Sequence, residues 1–180
     1  MQKTYLNALS MVIQIIIKKY FITIHTMSDF ILKNLKKNNC SALYLFQKKF
    51  KELENNIWRV DDLKNLITKQ SNFGKLCFKE KSIIGFCIGN KIFDAFEIYS
   101  IFVDPIFRRK GIATRILNEC KIFCHEKNLK RIILEVNVEN EAAKRFYILN
   151  QFKNSGVRKD YYFNESGRND AQVMELEIFN

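Results

Sequence analysis

Proline occurs once and glycine six times in these 180 residues, so no linker rich in either residue divides the chain. The length suits one domain with one substantial core. No internal repeat is present, which removes solenoids and propellers from consideration. The five cysteines, Cys40, Cys77, Cys87, Cys120 and Cys124, form no C-x-x-C pair. Cys120 and Cys124 are spaced to share one helix face, but only His125 stands beside them and no second pair of metal ligands occurs, so no metal is expected. Buried, reduced thiols suit a cytoplasmic protein.

No apolar run approaches the roughly 20 residues of a membrane helix, and no membrane partner is expected. Residues 1–26 carry Lys3, the stretch Met11–Ile17 and then Lys18-Lys19, which faintly imitates a secretion signal. Gln14 interrupts that stretch and no small-residue cleavage site follows it. The segment also lacks arginine, which argues against an organelle transit peptide. We read residues 1–26 as an N-terminal extension outside the fold, and 27–180 as a single domain opening at Met27-Ser-Asp-Phe-Ile-Leu.

Acidic residues are few, 19 against 30 Lys plus Arg, for a formal net charge of +11. Without residues 1–26 the charge is +8, because Lys3, Lys18 and Lys19 are lost and no acid is. The lysines are scattered among Asn, Ile and Phe with no arginine-aromatic stripe, so no specific nucleic-acid site is expected. Such a charge can still favour nonspecific association with a ribosome.

Hydrophobic periodicity predicts a strand at Phe30–Leu35, helices at Ser41–Leu53 and Val60–Lys69, and a hairpin of Leu76–Lys79 with Ile83–Ile92. A strand at Phe96–Val103 precedes an amphipathic helix, Ile112–Lys127, which Asn128 can end. Then come a buried strand at Arg131–Val136, a helix at Glu141–Leu149 capped by Asn140, and antiparallel strands at Phe152–Tyr161 and Gln172–Phe179. The order βααβββαβαββ describes an α/β fold with a mixed central sheet and helices on both faces.

Between strand and helix lies Arg108-Arg109-Lys110-Gly111-Ile112-Ala113. Unpaired amides and the positive dipole at a helix N-terminus can cradle a pyrophosphate; glycine lets the backbone approach, and the cations can pair with outer phosphates. A basic turn before a helix is equally common as plain solvated surface. Glu135 stands out because an acid ending the apolar run Ile132-Ile133-Leu134 must be solvated, paired or used. By spacing, Tyr147 is a helix-face aromatic of the core, and Ile101, Phe102 and Val103 are core residues.

Ser100-Ile-Phe-Val-Asp-Pro-Ile-Phe-Arg-Arg-Lys-Gly-Ile-Ala, then Leu134-Glu-Val-Asn-Val-Glu-Asn-Glu-Ala-Ala, Arg145-Phe-Tyr and Phe152, resembles the GCN5-related N-acetyltransferase (GNAT) superfamily in order and spacing. Its acetyl-CoA loop reads R/Q-x-x-G-x-G/A. Val157-Arg158-Lys159-Asp160-Tyr161-Tyr162, with Gly167-Arg168-Asn169-Asp170-Ala171 and Met174, looks like the branch that acetylates the N-terminal alanine of small-subunit ribosomal protein eighteen. The likeness runs from about Ile84 to Ile178; before that it fades to Trp58.

The resemblance implies acetyl-CoA as cosubstrate. Its holders would be the main chain of Ile101, Phe102 and Val103, the loop residues Arg108, Arg109, Lys110, Gly111, Ile112, Ala113 and Thr114, and Asn140. It further implies Glu135 as general base and Tyr147 as general acid in a direct transfer with no acyl-cysteine. Arg158, Tyr161 and Tyr162 would form one wall of an acceptor groove and Trp58 the other, the partner being the N-terminus of a small-subunit ribosomal protein. Another protein N-terminus, a lysine or a small amine remains open as acceptor, as does a noncatalytic ribosome- or RNA-binding role. Where the superfamily has Gly-Phe after the tyrosine helix, this chain has Asn150-Gln151-Phe152. If that turn needs positive φ, Gln151 or Asn150 must supply it.

Overall fold

A computed structural model describes residues 30–69, 71–164 and 167–178. The boundary expected at Met27 and the extension before it lie outside the described residues. Within them the elements are β1 (Ile31–Asn34), α1 (Cys40–Gln47), α2 (Val60–Leu66), β2 (Asn72–Lys79), β3 (Ser82–Ile92), β4 (Ala95–Val103), α3 (Ile112–Glu126), β5 (Arg131–Asn137), α4 (Glu141–Leu149), β6 (Lys153–Asn164) and β7 (Gly167–Glu177). This is the expected βααβββαβαββ order. Short 3-10 turns add Lys37–Asn39, Lys51–Asn56 and Pro105–Phe107.

The seven strands form one mixed sheet in the order β1-β2-β3-β4-β5-β7-β6. All neighbours are antiparallel except β4 and β5, which α3 joins as a parallel pair. One core packs α3 and Tyr147 of α4 against Cys87, Phe96, Ile132 and Leu134 of the sheet. The other packs Leu43 and Phe46 of α1 and Leu63 of α2 against Phe86, Ile88 and Phe102. Ile112, Ile116, Leu117, Cys120 and Cys124 of α3 are all buried, as their spacing predicts. Asn128 ends that helix in the left-handed region, with φ 52°.

The parallel pairing is short. Only Ala95–Ile98 of β4 and Arg131–Leu134 of β5 are in register. On its other side, β4 shifts register against β3: Gly89 pairs with Ile98 and Ile88 with Ser100, so Tyr99 is an extra residue. A bulge bends the strand that carries it. Beyond this one, β4 and β5 have no pairing with each other. Gly89 is required at the bend, because a Cβ there would collide with the Phe96 ring and the Glu97 carbonyl oxygen.

Several predicted boundaries shift, and β2 begins at Asn72 rather than Leu76. The first helix stops at Gln47 rather than Leu53, because Phe50 is extended (φ −122°, ψ 118°) and brings its ring 4.9 Å from Phe102. Leu53 is buried nonetheless, on a 3-10 turn. The second helix ends at Leu66 rather than Lys69. The terminal hairpin pairs out to Asn164 and Gly167, so the segment Gly167–Ala171 is strand as well.

Gln151 is the residue that adopts positive φ after α4, at 72°, while Asn150 stays at −96°. The turn is closed by Gln151 N–H to Ile148 O at 2.9 Å and Phe152 N–H to Tyr147 O at 3.0 Å. A left-handed non-glycine residue costs roughly 1 kcal/mol, so Gln151→Gly is expected to raise Tm by roughly 2–4 °C. A calorimetric scan showing a lower Tm would contradict this reading of the turn.

Candidate functional site

The parting of β4 from β5 and the loop that follows β4 form one continuous region. Asp104 ends the strand and accepts from Ile106 N–H at 3.1 Å, which starts the Pro105–Phe107 turn. The chain then passes through Arg109 (φ 62°) and Gly111 (φ 75°), two left-handed residues that turn it into α3. Arg115 N–H donates to Gly111 O at 3.0 Å, the first bond of the helix. The amides of Ile112, Ala113 and Thr114 therefore lie at its positive end. A Cβ on Gly111 would meet nothing within 4 Å, so the space above this turn is open.

The cations expected around this loop divide. Arg108 points its guanidinium back into the protein: Nε donates to Val103 O at 2.9 Å, Nη2 pairs with Glu52, and the group lies 5.3 Å from the Phe102 ring centre. Its side chain thus ties β4 to the Lys51–Asn56 turn and is not directed to an outer phosphate. Lys110 rests over Phe107 at 5.2 Å, while Arg109 is exposed. Val103 and Phe102 are buried and Ile101 is half-buried; all three follow the bulge, on the stretch of β4 that β5 does not pair.

Glu135 lies just beyond Leu134, the last residue of β5 paired to β4. Its side chain is 16% exposed, and Oε1 accepts from Arg158 Nη1 at 2.7 Å. The same carboxylate holds the Tyr161 phenol above its ordinary value. Tyr162 O–H donates to the Glu135 main-chain oxygen at 3.0 Å. Three expected groove residues thus converge on Glu135. They reach it because β6 carries two extra residues against β7 between Arg158 and Tyr162, with Asp160 at φ 54°. Asp170 secures that bulge, accepting from Asp160 N–H at 3.1 Å and from Lys159 Nζ at 2.7 Å.

Tyr147 is buried on the opposite face of the sheet, its ring 5.4 Å from Phe152. Burial pushes its phenol far up, with Cys87, Tyr162 and Cys120 adding to the effect, so it keeps its proton. Tyr162 is itself pushed up to about 12, mainly by burial and then by Tyr161 and Glu135. It lies electrostatically between Glu135 and Tyr147. Asn140 serves as a helix cap, its Oδ1 accepting from Ala143 N–H at 3.1 Å. The Trp58 ring lies 5.8 Å from that of Tyr99, the residue of the β4 bulge.

A sequence profile of the acetyltransferase (GNAT) family matches residues 32–150. The [ribosomal protein bS18]-alanine N-acetyltransferase of Escherichia coli (strain K12) is 30% identical over 93 residues, which are 52% of this chain and 63% of that protein. The chain therefore spans less than two thirds of the length of that relative. The crystal structure of the ribosomal-protein-S18-alanine N-acetyltransferase from Escherichia coli superposes with a TM-score of 0.74 at 21% identity, over 84% of this chain and 95% of that one. That of yncA from Salmonella typhimurium with its cofactor acetyl-CoA gives 0.71 at 14% identity, over 84% and 95%.

One acid of the site escapes sequence reasoning. Glu97 pairs in register with Ile133, two residues before Glu135, so both carboxylates stand on one face of the sheet. The signal was present: Glu97 interrupts Phe96 and Ile98 as Glu135 ends its own apolar run. Burial raises the Glu97 carboxyl above its ordinary value, Glu135 raises it further, and Arg158 offsets part of this. A raised value in the folded state means the fold binds that proton more tightly than the unfolded chain. Stability therefore falls as pH rises through the ordinary carboxylate value of about 4.3 and up to the raised one. Glu97→Gln should raise Tm at pH 8, and the gain should vanish near pH 4. Paired melts with a pH-independent difference would contradict this.

Proposed function

The chain belongs to the acetyltransferase (GNAT) family, and from that premise we propose that it is an acetyl-CoA-dependent N-α-acetyltransferase acting on the N-terminal alanine of small-subunit ribosomal protein eighteen. The observation that carries the proposal is the convergence of Arg158, Tyr161 and Tyr162 on Glu135 where β4 and β5 part. The named activity of the Escherichia coli relative supports the choice of acceptor. Free, buried cysteines support a cytoplasmic setting, and the net charge of +11 supports loose association with the ribosome.

Acetyl-CoA, when bound, supplies an activated acetyl thioester. The residues present fit it: left-handed turns at Arg109 and Gly111, open space above Gly111, free first-turn amides and a stretch of β4 unpaired to β5. Ile112, Ala113 and Thr114 would hold the pyrophosphate, and the main chain of Ile101–Val103 the pantetheine arm. Glu135 would take a proton from the acceptor's α-ammonium, which titrates near pH 8 and gives it up readily. Arg158 and Tyr161 keep that carboxylate in place. Tyr147, protonated throughout, would donate to the departing sulfur. The dry surroundings that raise the phenol would also raise a thiolate, so the transfer stays balanced.

Three measurements follow. Gly111→Glu places a carboxylate in the open space above the turn and is expected to abolish acetyl-CoA binding by calorimetry, whereas unchanged affinity in the folded variant would remove the site. Tyr147→Phe and Glu135→Gln should each lower kcat by about 10²-fold or more at preserved acetyl-CoA affinity, the latter most at low pH; near wild-type turnover in both would misassign them. Mass spectrometry should find acetyl on the α-amine of a peptide copying the start of the organism's own small-subunit ribosomal protein eighteen. Preference for a lysine or polyamine by more than about tenfold in kcat/KM would overturn the acceptor, not the family.

A further inference from the structure

Gln47, the last residue of α1, is the one buried polar residue among the described residues. Its amide is directed mainly at Trp58, eleven residues on. Oε1 accepts from Trp58 N–H at 3.0 Å, and Nε2 donates to Trp58 O at 3.2 Å and to Leu43 O at 3.3 Å. The side chain thus pairs both main-chain groups of Trp58 as a neighbouring strand would. Among the described residues Trp58 is part of no strand pairing; it follows the Lys51–Asn56 turn and precedes α2. Its ring leans on Tyr99, itself 42% exposed at the bulge where β4 and β5 separate.

We propose that Gln47 is a positioning residue for the acceptor: by fixing the Trp58 main chain it holds the Trp58–Tyr99 pair as the wall facing Arg158 and Tyr161, and so sets which first residue of a peptide is admitted. This rests on the acceptor groove proposed above. A ring on a loop is easily displaced, but moving Trp58 would leave its half-buried N–H and C=O and the buried Gln47 amide unpaired together. Glutamine alone suits the task. Leucine makes none of these bonds, and an ionised glutamate accepts without donating while burying a charge.

Trp58 is the chain's single tryptophan, so its fluorescence reads this wall directly. In Gln47→Glu, a buried acid titrates above its ordinary value, and its neutral form restores a donor. Its emission should match wild type near pH 5 and move to the red toward pH 8, while wild type stays constant. Gln47→Leu should raise KM for the peptide about tenfold with the acetyl-CoA Kd within twofold. In a Trp58→Ala background the same change should add less than twofold, because it acts through Trp58.

Emission in Gln47→Glu that is wild-type at every pH overturns the clamp, and this arm needs no substrate and no second variant. Fully additive effects of Gln47→Leu and Trp58→Ala, or an acetyl-CoA Kd that weakens as much as KM, overturn the positioning role. A wild-type protein that ignores the alanine peptide overturns the proposed acceptor instead; the KM arm then uses whichever amine a substrate panel shows to be acetylated.

Discussion

One extra residue in β4 governs the site. A parallel pair of strands flanked on both sides by other strands has no reason to separate, since each lost ladder bond leaves main-chain groups unpaired. Tyr99 supplies the reason. Its insertion against β3 bends β4 after Ile98, and Gly89 lets Phe96 and the Glu97 carbonyl approach closely enough for the bend to pack. Past that point the strands diverge from each other while each keeps its outer partner. Val103 still pairs with Gly85, and Glu135 with Val173. The sheet is thereby opened in the middle without being broken.

The divergence also places the chemistry on two faces. Glu135, Glu97 and the aromatic pair Trp58–Tyr99 occupy one side, the face against which α1 and α2 pack. Tyr147 lies in the core on the other side, beneath α3 and α4. Tyr162 connects them, bonding to the Glu135 main chain and pressing electrostatically on Tyr147. In the proposed transfer, a carboxylate with partial access to water and a phenol kept dry by burial would suit a proton taken on one face and returned on the other.

Much of this was legible in the sequence because it rests on local periodicity. The α3 stripe from Ile112 to Cys124, the Asn140 cap and the left-handed Asn128 all stand where spacing placed them. The positive φ at Gln151 was anticipated as one of two outcomes. What escaped is nonlocal. Arg108 reads as a phosphate ligand, but its role is set by Val103 and Glu52, the latter 56 residues away. Glu97 becomes a site residue only through its register with Ile133. The end of α1 at Gln47 is set by Phe50, which turns extended to pack on Phe102 of β4. Helical spacing through Phe50 and Leu53 concealed that break.

Amide hydrogen exchange with and without acetyl-CoA tests the central claim most directly. The unpaired side of β4 and the first turn of α3 carry donors that the ligand alone would satisfy. Saturating acetyl-CoA is predicted to slow exchange in Tyr99–Val103 and in Ile112–Thr114 together, with little change in the fully paired hairpin of β2 and β3. Protection confined to the loop, or appearing in β2 and β3 and not in Tyr99–Val103, would contradict the view that the parted strands are the active cleft.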